Sequence, residues 1–261
     1  MRDRHPIFRG TSVVRFKEIL PSLPMKPLLW LPLLLLSSAL PLSLAQAETP
    51  PLPAPPATRI SKPSEFISFE KFDRPDSLQT KPSTHGWQPI IGTWKIQNGV
   101  VTAAEAKPGE KYPGGHSAFC EHLVDLQNFV LTAEFKLGEA RSVVFRCRDL
   151  NAPGAKMQHT GYAEVDSRAM WLSQCEGSGP TYKAEELTRM PLHLEKDLWH
   201  RVTLEVCDGK WLIQLNDSKV IQAEHPRFLA QKARVTLSAR GEGAEFRNVA
   251  LWKAQPPTAP N

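Results

Sequence analysis

The chain has 261 residues, 41% of them hydrophobic and 23% charged, with a formal charge of +5 at pH 7. Its first 47 residues hold six of the Lys/Arg and two of the Asp/Glu, so +4 of that charge belongs to them and +1 to the rest. The rest has no basic stripe to neutralise phosphates and no aromatic–basic repeat, which argues against nucleic acid as a partner.

A basic start at Met25-Lys26 precedes Leu28–Leu44, a leucine-dominated run broken by small residues, Trp30 and prolines. Ala45-Gln46-Ala47 then supplies the small-x-small pattern that signal peptidase reads, with the expected cut before Glu48. Pro32, Pro41 and the shortness of the run argue against a span of roughly 20 residues, so membrane attachment is expected only through an uncleaved leader. Residues 1–47 therefore read as a signal peptide, starting at Met1 or at Met25, and the protein as secreted or periplasmic. From 48 to 64, Pro50, Pro51, Pro53, Pro55, Pro56 and Pro63 make a stiff, extended linker. A second proline-rich tail runs from 255 to 261, leaving 65–254 as one domain large enough for a proper core.

Strand signals dominate that domain. Phe66–Glu70 comes first, then Trp94–Ile96 and Val100–Thr102 around Asn98-Gly99. Ser117–Leu123 follows, and then Phe129–Leu137, where Phe129, Leu131, Ala133, Phe135 and Leu137 alternate with Val130, Thr132, Glu134 and Lys136. That period of two is what a half-buried strand requires. Ser142–Cys147, Tyr162–Val165 and Ala169–Gln174 come next, and Ala184–Leu194 is the single stretch suited to a short helix, interrupted by Pro191. Arg201–Cys207 and Trp211–Leu215 flank Asp208-Gly209. Like Asn98-Gly99, this dipeptide tolerates positive φ at both central positions of a tight hairpin. Lys219–Glu224, Arg234–Ala239, a turn at Gly241-Glu-Gly243 and Glu245–Trp252 complete the series. Many short strands with regular turn signals predict an all-β sandwich or barrel.

Cys120, Cys147, Cys175 and Cys207 allow three pairings between which the sequence does not choose, and their spacing marks no zinc cluster. His116, Cys120 and His122 share strand parity, but His116 and His122 stand roughly 20 Å apart along a straight strand, too far for one ion. No G-x-S-x-G, phosphate-cradling glycine loop or H-E-x-x-H occurs.

Several blocks occur in a familiar order: Trp94-Lys-Ile-Gln-Asn-Gly-Val100, Phe129–Leu137, Ser142-Val-Val-Phe-Arg146, Gly161-Tyr162, Leu198-Trp-His-Arg-Val202, Trp211–Asn216 and the closing Glu245-Phe-Arg-Asn-Val249. Together they resemble the laminin-G/concanavalin-like sandwiches and, more narrowly, the 3-keto-disaccharide hydrolase family. The resemblance implies a jelly-roll of two antiparallel sheets and a carbohydrate ligand. Where the family usually has Gly-Tyr-Glu-Val, this chain has Gly161-Tyr-Ala-Glu-Val165. Retaining glucanases of the superfamily carry E-x-D-x-x-E; here Glu164-Val-Asp166 is followed by Ala169 in place of the second glutamate, which argues against that chemistry.

On Ser142–Arg148, Val144, Arg146 and Arg148 share one face, which must be polar because two guanidiniums in a core cost too much. That face is either a ligand-binding concavity or an ordinary exposed one with ion pairs to Glu164 or Asp166. The family's chemistry implies a base for the C2 proton and a stabiliser for the enolate. His159 or Glu164 is the candidate base and Arg146 or Arg148 the candidate stabiliser. Tyr162, Asp166, Trp171 and Trp87 are the candidate substrate-binding residues, the two tryptophans as stacking platforms or as core. No cofactor is identified from the sequence. A divalent metal is compatible with a laminin-G-like fold, yet no acidic cluster supports one. Three readings stay open: an enzyme on oxidised glycosides, a non-catalytic carbohydrate-binding module, and a structural envelope domain. Oligomeric state has no signal.

Overall fold

A computed structural model describes residues 52–149, 158–177 and 181–257. The expected leader lies outside the described residues. In chain order the strands are β1 (Lys62–Glu70), β2 (Gln88–Ile91), β3 (Thr93–Gln97), β4 (Val100–Ala104), β5 (Ala118–Leu126), β6 (Phe129–Lys136), β7 (Ser142–Asp149) and β8 (His159–Asp166). They continue as β9 (Ala169–Glu176), β10 (Lys183–Pro191), β11 (His200–Cys207), β12 (Lys210–Leu215), β13 (Lys219–Glu224), β14 (Lys232–Arg240) and β15 (Glu242–Gln255). Among the described residues the helical segments are single 3-10 turns such as Pro75–Ser77 and Pro226–Leu229.

The strands form two antiparallel sheets, the jelly-roll sandwich that the resemblance implies. One runs β13-β12-β11-β6-β15-β4-β3 with β1 added against β15; the other runs β10-β9-β8-β7-β14-β5-β2. Alternation sets the core between them. Phe129, Leu131, Ala133, Phe135 and Leu137 are buried from one sheet, and Val143, Phe145 and Cys147 from the other. Phe145 sits edge-on to both Phe135 (6.2 Å) and Phe246 (6.3 Å), locking the layers together.

Turn chemistry behaves as the dipeptides predict. Asn98 and Gly99 have φ of 52° and 74°, and Asp208 and Gly209 have 49° and 77°. Asn216 and Asp217 make a third such turn (47° and 56°). Asn248, in the closing Phe-Arg-Asn strand, also has positive φ (51°). It falls within the register shift between Arg247 and Ala250, where β15 leaves its pairing with β4 and takes up β1.

Two expectations change. The stretch 184–194 forms strand β10 over most of its length, although Ala, Glu, Leu and Met favour helix. Pairing with β9 gives its backbone a ladder, while Lys183, Glu185, Glu186 and Arg189 keep this edge strand soluble, so tertiary pairing overrides propensity. At the other end, β1 begins at Lys62, inside the stretch that reads as linker. The Arg59 and Ile60 amides donate to the Glu205 carboxylate at 2.8 and 2.9 Å, and Ser61 Oγ does so at 2.8 Å. This strap covers part of the outer face of the eight-stranded sheet. All four cysteines are free thiols and buried.

Candidate functional site

The outer face of the seven-stranded sheet carries the polar alternation predicted on β7. Register places Arg146 opposite Tyr162, Val144 opposite Glu164, and Glu164 opposite Trp171. On the other side of β7, Thr236 faces Arg146 and Arg240 faces Ser142. A register shift beside Arg148 brings His159 to this side, edge-on to Phe119 (5.9 Å) and Tyr182 (5.7 Å).

The charges on this face are unequally satisfied. Glu121 is buried and shared by two guanidiniums, Arg148 at 2.6 Å and Arg234 at 2.8 Å. Glu164, 2% exposed, accepts from Ser142 Oγ at 2.6 Å on one oxygen and faces an Arg240 nitrogen at 3.1 Å on the other. Arg146 is 6% exposed and makes no ion pair or hydrogen bond to any described residue. Its guanidinium lies 5.0 Å from the centroids of both the Phe119 and Tyr162 rings. A buried charge held only by ring faces is expensive to retain for stability alone. Beside it, Thr236 Oγ1, Ser238 Oγ and His159 Nδ1 are also buried without a hydrogen-bond partner among the described residues.

These surroundings move proton affinities in different directions. Burial raises the Glu164 carboxyl above its ordinary value, although Arg240, the Ser142 hydrogen bond and Arg146 pull it back. Burial lowers His159 to about 3, helped by the charges of Arg146, Arg148 and His116, so its ring stays neutral at ordinary pH. Arg146 is lowered too, again chiefly by burial, but a guanidinium remains protonated.

Over Glu164 a cleft of about 430 Å³ opens, walled by Ser142, Trp171, Arg141, Arg168, Lys196 and Arg240. Trp171 stacks beneath Arg189, whose guanidinium is 4.3 Å from its ring centroid. Among the described residues no three His, Cys, Asp or Glu side chains converge as metal ligands. The face can therefore hold a neutral imidazole, a proton-accepting carboxylate, an unpaired guanidinium and a ring platform beside one polar ligand.

Residues 78–251 match the model of the 3-keto-alpha-glucoside-1,2-lyase-like domain. The chain belongs to this family. No curated protein sequence matches it. Among solved structures it is similar to the carbohydrate binding module CBM66 from Bacillus subtilis (16% identity, TM-score 0.51, 64% of this chain and 96% of that one). LamA from Z. galactanivorans in complex with laminaritriose and laminaritetraose is a second (11%, 0.51, 74% and 100%). A third is a Bacillus subtilis protein of unknown function with a galectin-like fold (9%, 0.53, 76% and 100%). At these identities the likeness establishes the sandwich fold.

Within this member of the family, the predicted residues separate. Arg146, Glu164, Tyr162 and His159 share one face, and the inward Ala163 in Gly161-Tyr-Ala-Glu-Val165 keeps Tyr162 and Glu164 on the same side. Trp171 and Asp166 line the cleft. One Asp166 oxygen is taken by the amides of Arg168 and Ala169, both at 2.6 Å, which shape the β8–β9 turn. Arg148 is committed to Glu121 rather than to Glu164 or Asp166. Trp87 is a correction: at 1% exposure and 5.3 Å from the His122 ring it belongs to the core and offers no platform. His122 and Cys120 are likewise core residues. Sequence reasoning missed Arg240, Ser142, Glu121 and Phe119 as partners. The signal was present on β14, where Arg234, Thr236, Ser238 and Arg240 alternate with Val235, Leu237 and Ala239.

Proposed function

We propose that this is an exported carbohydrate-active enzyme that cleaves glycosides oxidised at C3, using the outer face of the seven-stranded sheet. The observation that carries this reading is the pairing of Glu164, a buried carboxyl with raised proton affinity beneath a cleft, with the diagonally adjacent Arg146, unpaired among the described residues. Cross-strand diagonal neighbours lie within about 7–8 Å, close enough to act on one sugar ring. A C3 ketone acidifies the C2 proton. The Glu164 carboxylate takes that proton, and the C–H electron pair forms a C2–C3 double bond as the ketone oxygen becomes an enolate. Arg146 meets this developing negative charge. When the ketone re-forms, the electron pair moves to C1–C2, the C1–O bond breaks, and the leaving oxygen takes the proton back from Glu164. Water addition across the new double bond completes hydrolysis. His159, neutral and with an Nδ1 that has no partner among the described residues, suits a sugar hydroxyl better than proton abstraction.

The test is incubation of the purified protein with 3-keto-disaccharides and with their unoxidised parents, following free sugar. Release is expected from the keto compounds alone and is lost in Glu164→Gln; full turnover by that variant would overturn the assignment. A non-catalytic sugar-binding module is the second reading, favoured by the Ser142 hydrogen bond and the Arg240 ion pair that already hold Glu164. Saturable binding of the parents with no turnover of keto compounds would decide for it. Export rests on the pattern of residues 1–47, and a secreted product beginning at Glu48 is its expected signature.

A further inference from the structure

We propose that the saccharide taken by this cleft bears an anionic substituent, a carboxylate or a sulfate ester, that docks between Arg168 and Lys196; this rests on the carbohydrate reading above. The cleft is walled by four cations, Arg141, Arg168, Lys196 and Arg240, and by two carboxylates, Glu164 and Asp166. Both carboxylates are already engaged within the protein. Glu164 is held by Ser142 and Arg240, and Asp166 by two backbone amides of its own turn. Arg141 shares Glu105 at 3.0 Å. Arg168 and Lys196, by contrast, have no ion-pair partner among the described residues, and both are exposed at the mouth.

Their nearness is built into the backbone. Leu192 and Leu194 donate their amides to the carbonyls of Arg168 and Ser167 at 2.8 and 3.0 Å, zipping the segment that leads to Lys196 onto the β8–β9 turn. The Lys196 carbonyl in turn accepts from the Gly138 amide at 3.0 Å. Two cations are thus presented from joined turns at one end of the cleft, beside Trp171 with the Arg189 guanidinium stacked on its ring. Past Arg141 and Arg240, which wall both spaces, a smaller groove of about 290 Å³ extends to His116 and Ser117 and gives room for the chain beyond the first sugar unit. A neutral glycan would leave this cationic rim without counterpart; an acidic one satisfies it.

The test is calorimetric titration of the purified protein with a glucuronosyl disaccharide, a sulfated disaccharide and their neutral parent, all unoxidised so that none is turned over. An exposed charge pair contributes roughly two- to fivefold in affinity. Two acting together should make at least one anionic sugar bind about tenfold tighter than the parent at low ionic strength, with the advantage shrinking as salt is added. Which of the two gains identifies the substituent. In the Arg168→Gln/Lys196→Gln double variant, both sites being exposed, the ratio of charged to neutral affinity should collapse toward one. Equal affinity for charged and neutral sugars would overturn the inference while the carbohydrate reading stands. Failure of every sugar to bind would overturn the inference, while the carbohydrate reading would then stand or fall on turnover of the 3-keto-disaccharides.

Discussion

Both sheets bury glutamate on their outer faces, and Glu205 and Glu164 are used differently. Glu205, fully buried on the eight-stranded sheet, accepts from two backbone amides and a serine hydroxyl of the strap at Arg59–Ser61. Glu164, on the seven-stranded sheet, has one hydroxyl and one guanidinium, and beside it Arg146 goes without a polar partner among the described residues. The first arrangement answers its acceptors with local donors and closes that face with the chain itself. The second leaves charge and hydrogen-bonding capacity unspent beneath a cleft. Stability alone accounts for the first; the second is where a ligand's groups have something to meet.

That contrast breaks or sharpens under substitution. The largest effect is expected from Glu164→Gln, which should lower turnover of a 3-keto-glycoside by about 10²–10⁴ while the unfolding midpoint holds. In the unmodified protein the acid limb of the rate profile should inflect above the ordinary glutamate value near ~4.3, because the base proposed at Glu164 works only without its proton. Arg146→Met should cost about 10²–10³ in the same rate. It should also leave the thermal midpoint equal or higher, since an unpaired buried charge is replaced by apolar volume. A fall in stability with unaltered turnover would make Arg146 a packing residue.

On the opposite sheet the expectation reverses. Glu205→Ala should destabilise by ~1–3 kcal/mol for each donor left without an acceptor, with turnover unchanged. Denaturant unfolding beside a rate assay separates the two outcomes. The smallest effect is on pH dependence. His159 has a folded pKa of about 3 against roughly 6.5 unfolded, so the unfolded chain binds its proton first. Stability is therefore unaffected by this group above ~6.5 and is lost as pH falls toward 3, by at most about 1.4 kcal/mol per pH unit. His159→Gln should flatten that slope; an unchanged slope would assign acid lability elsewhere, with His122, also lowered by burial, next in line.

Much of the sandwich was legible because its determinants are local. Alternation in Phe129–Leu137 depends only on the pleat, and Asn98-Gly99 and Asp208-Gly209 adopt the positive φ their chemistry permits. The polar face of β7 was legible for the same reason: Arg146 and Arg148 follow each other at a spacing of two. Their different fates were not. Arg148 finds Glu121, 27 residues away on β5, across the intervening β14, and Arg146 finds two rings instead. Nothing within β7 itself separates them. The strand at 183–191 escaped sequence reasoning because its composition favours helix and only its neighbour β9 supplies the alternative ladder. Trp87 escaped because a tryptophan beside a glycine looks alike whether it meets a sugar or His122.

By itself, then, the sequence determined which residues turn to which side of each strand, where the hairpins close, and that the family's sandwich would result. Tertiary structure decided which charges meet, which glutamate is covered by the strap and which stands under the cleft. Side-chain direction follows a two-residue period that any local stretch carries. Partnership depends on strand order and register across the sheet, which no local stretch contains.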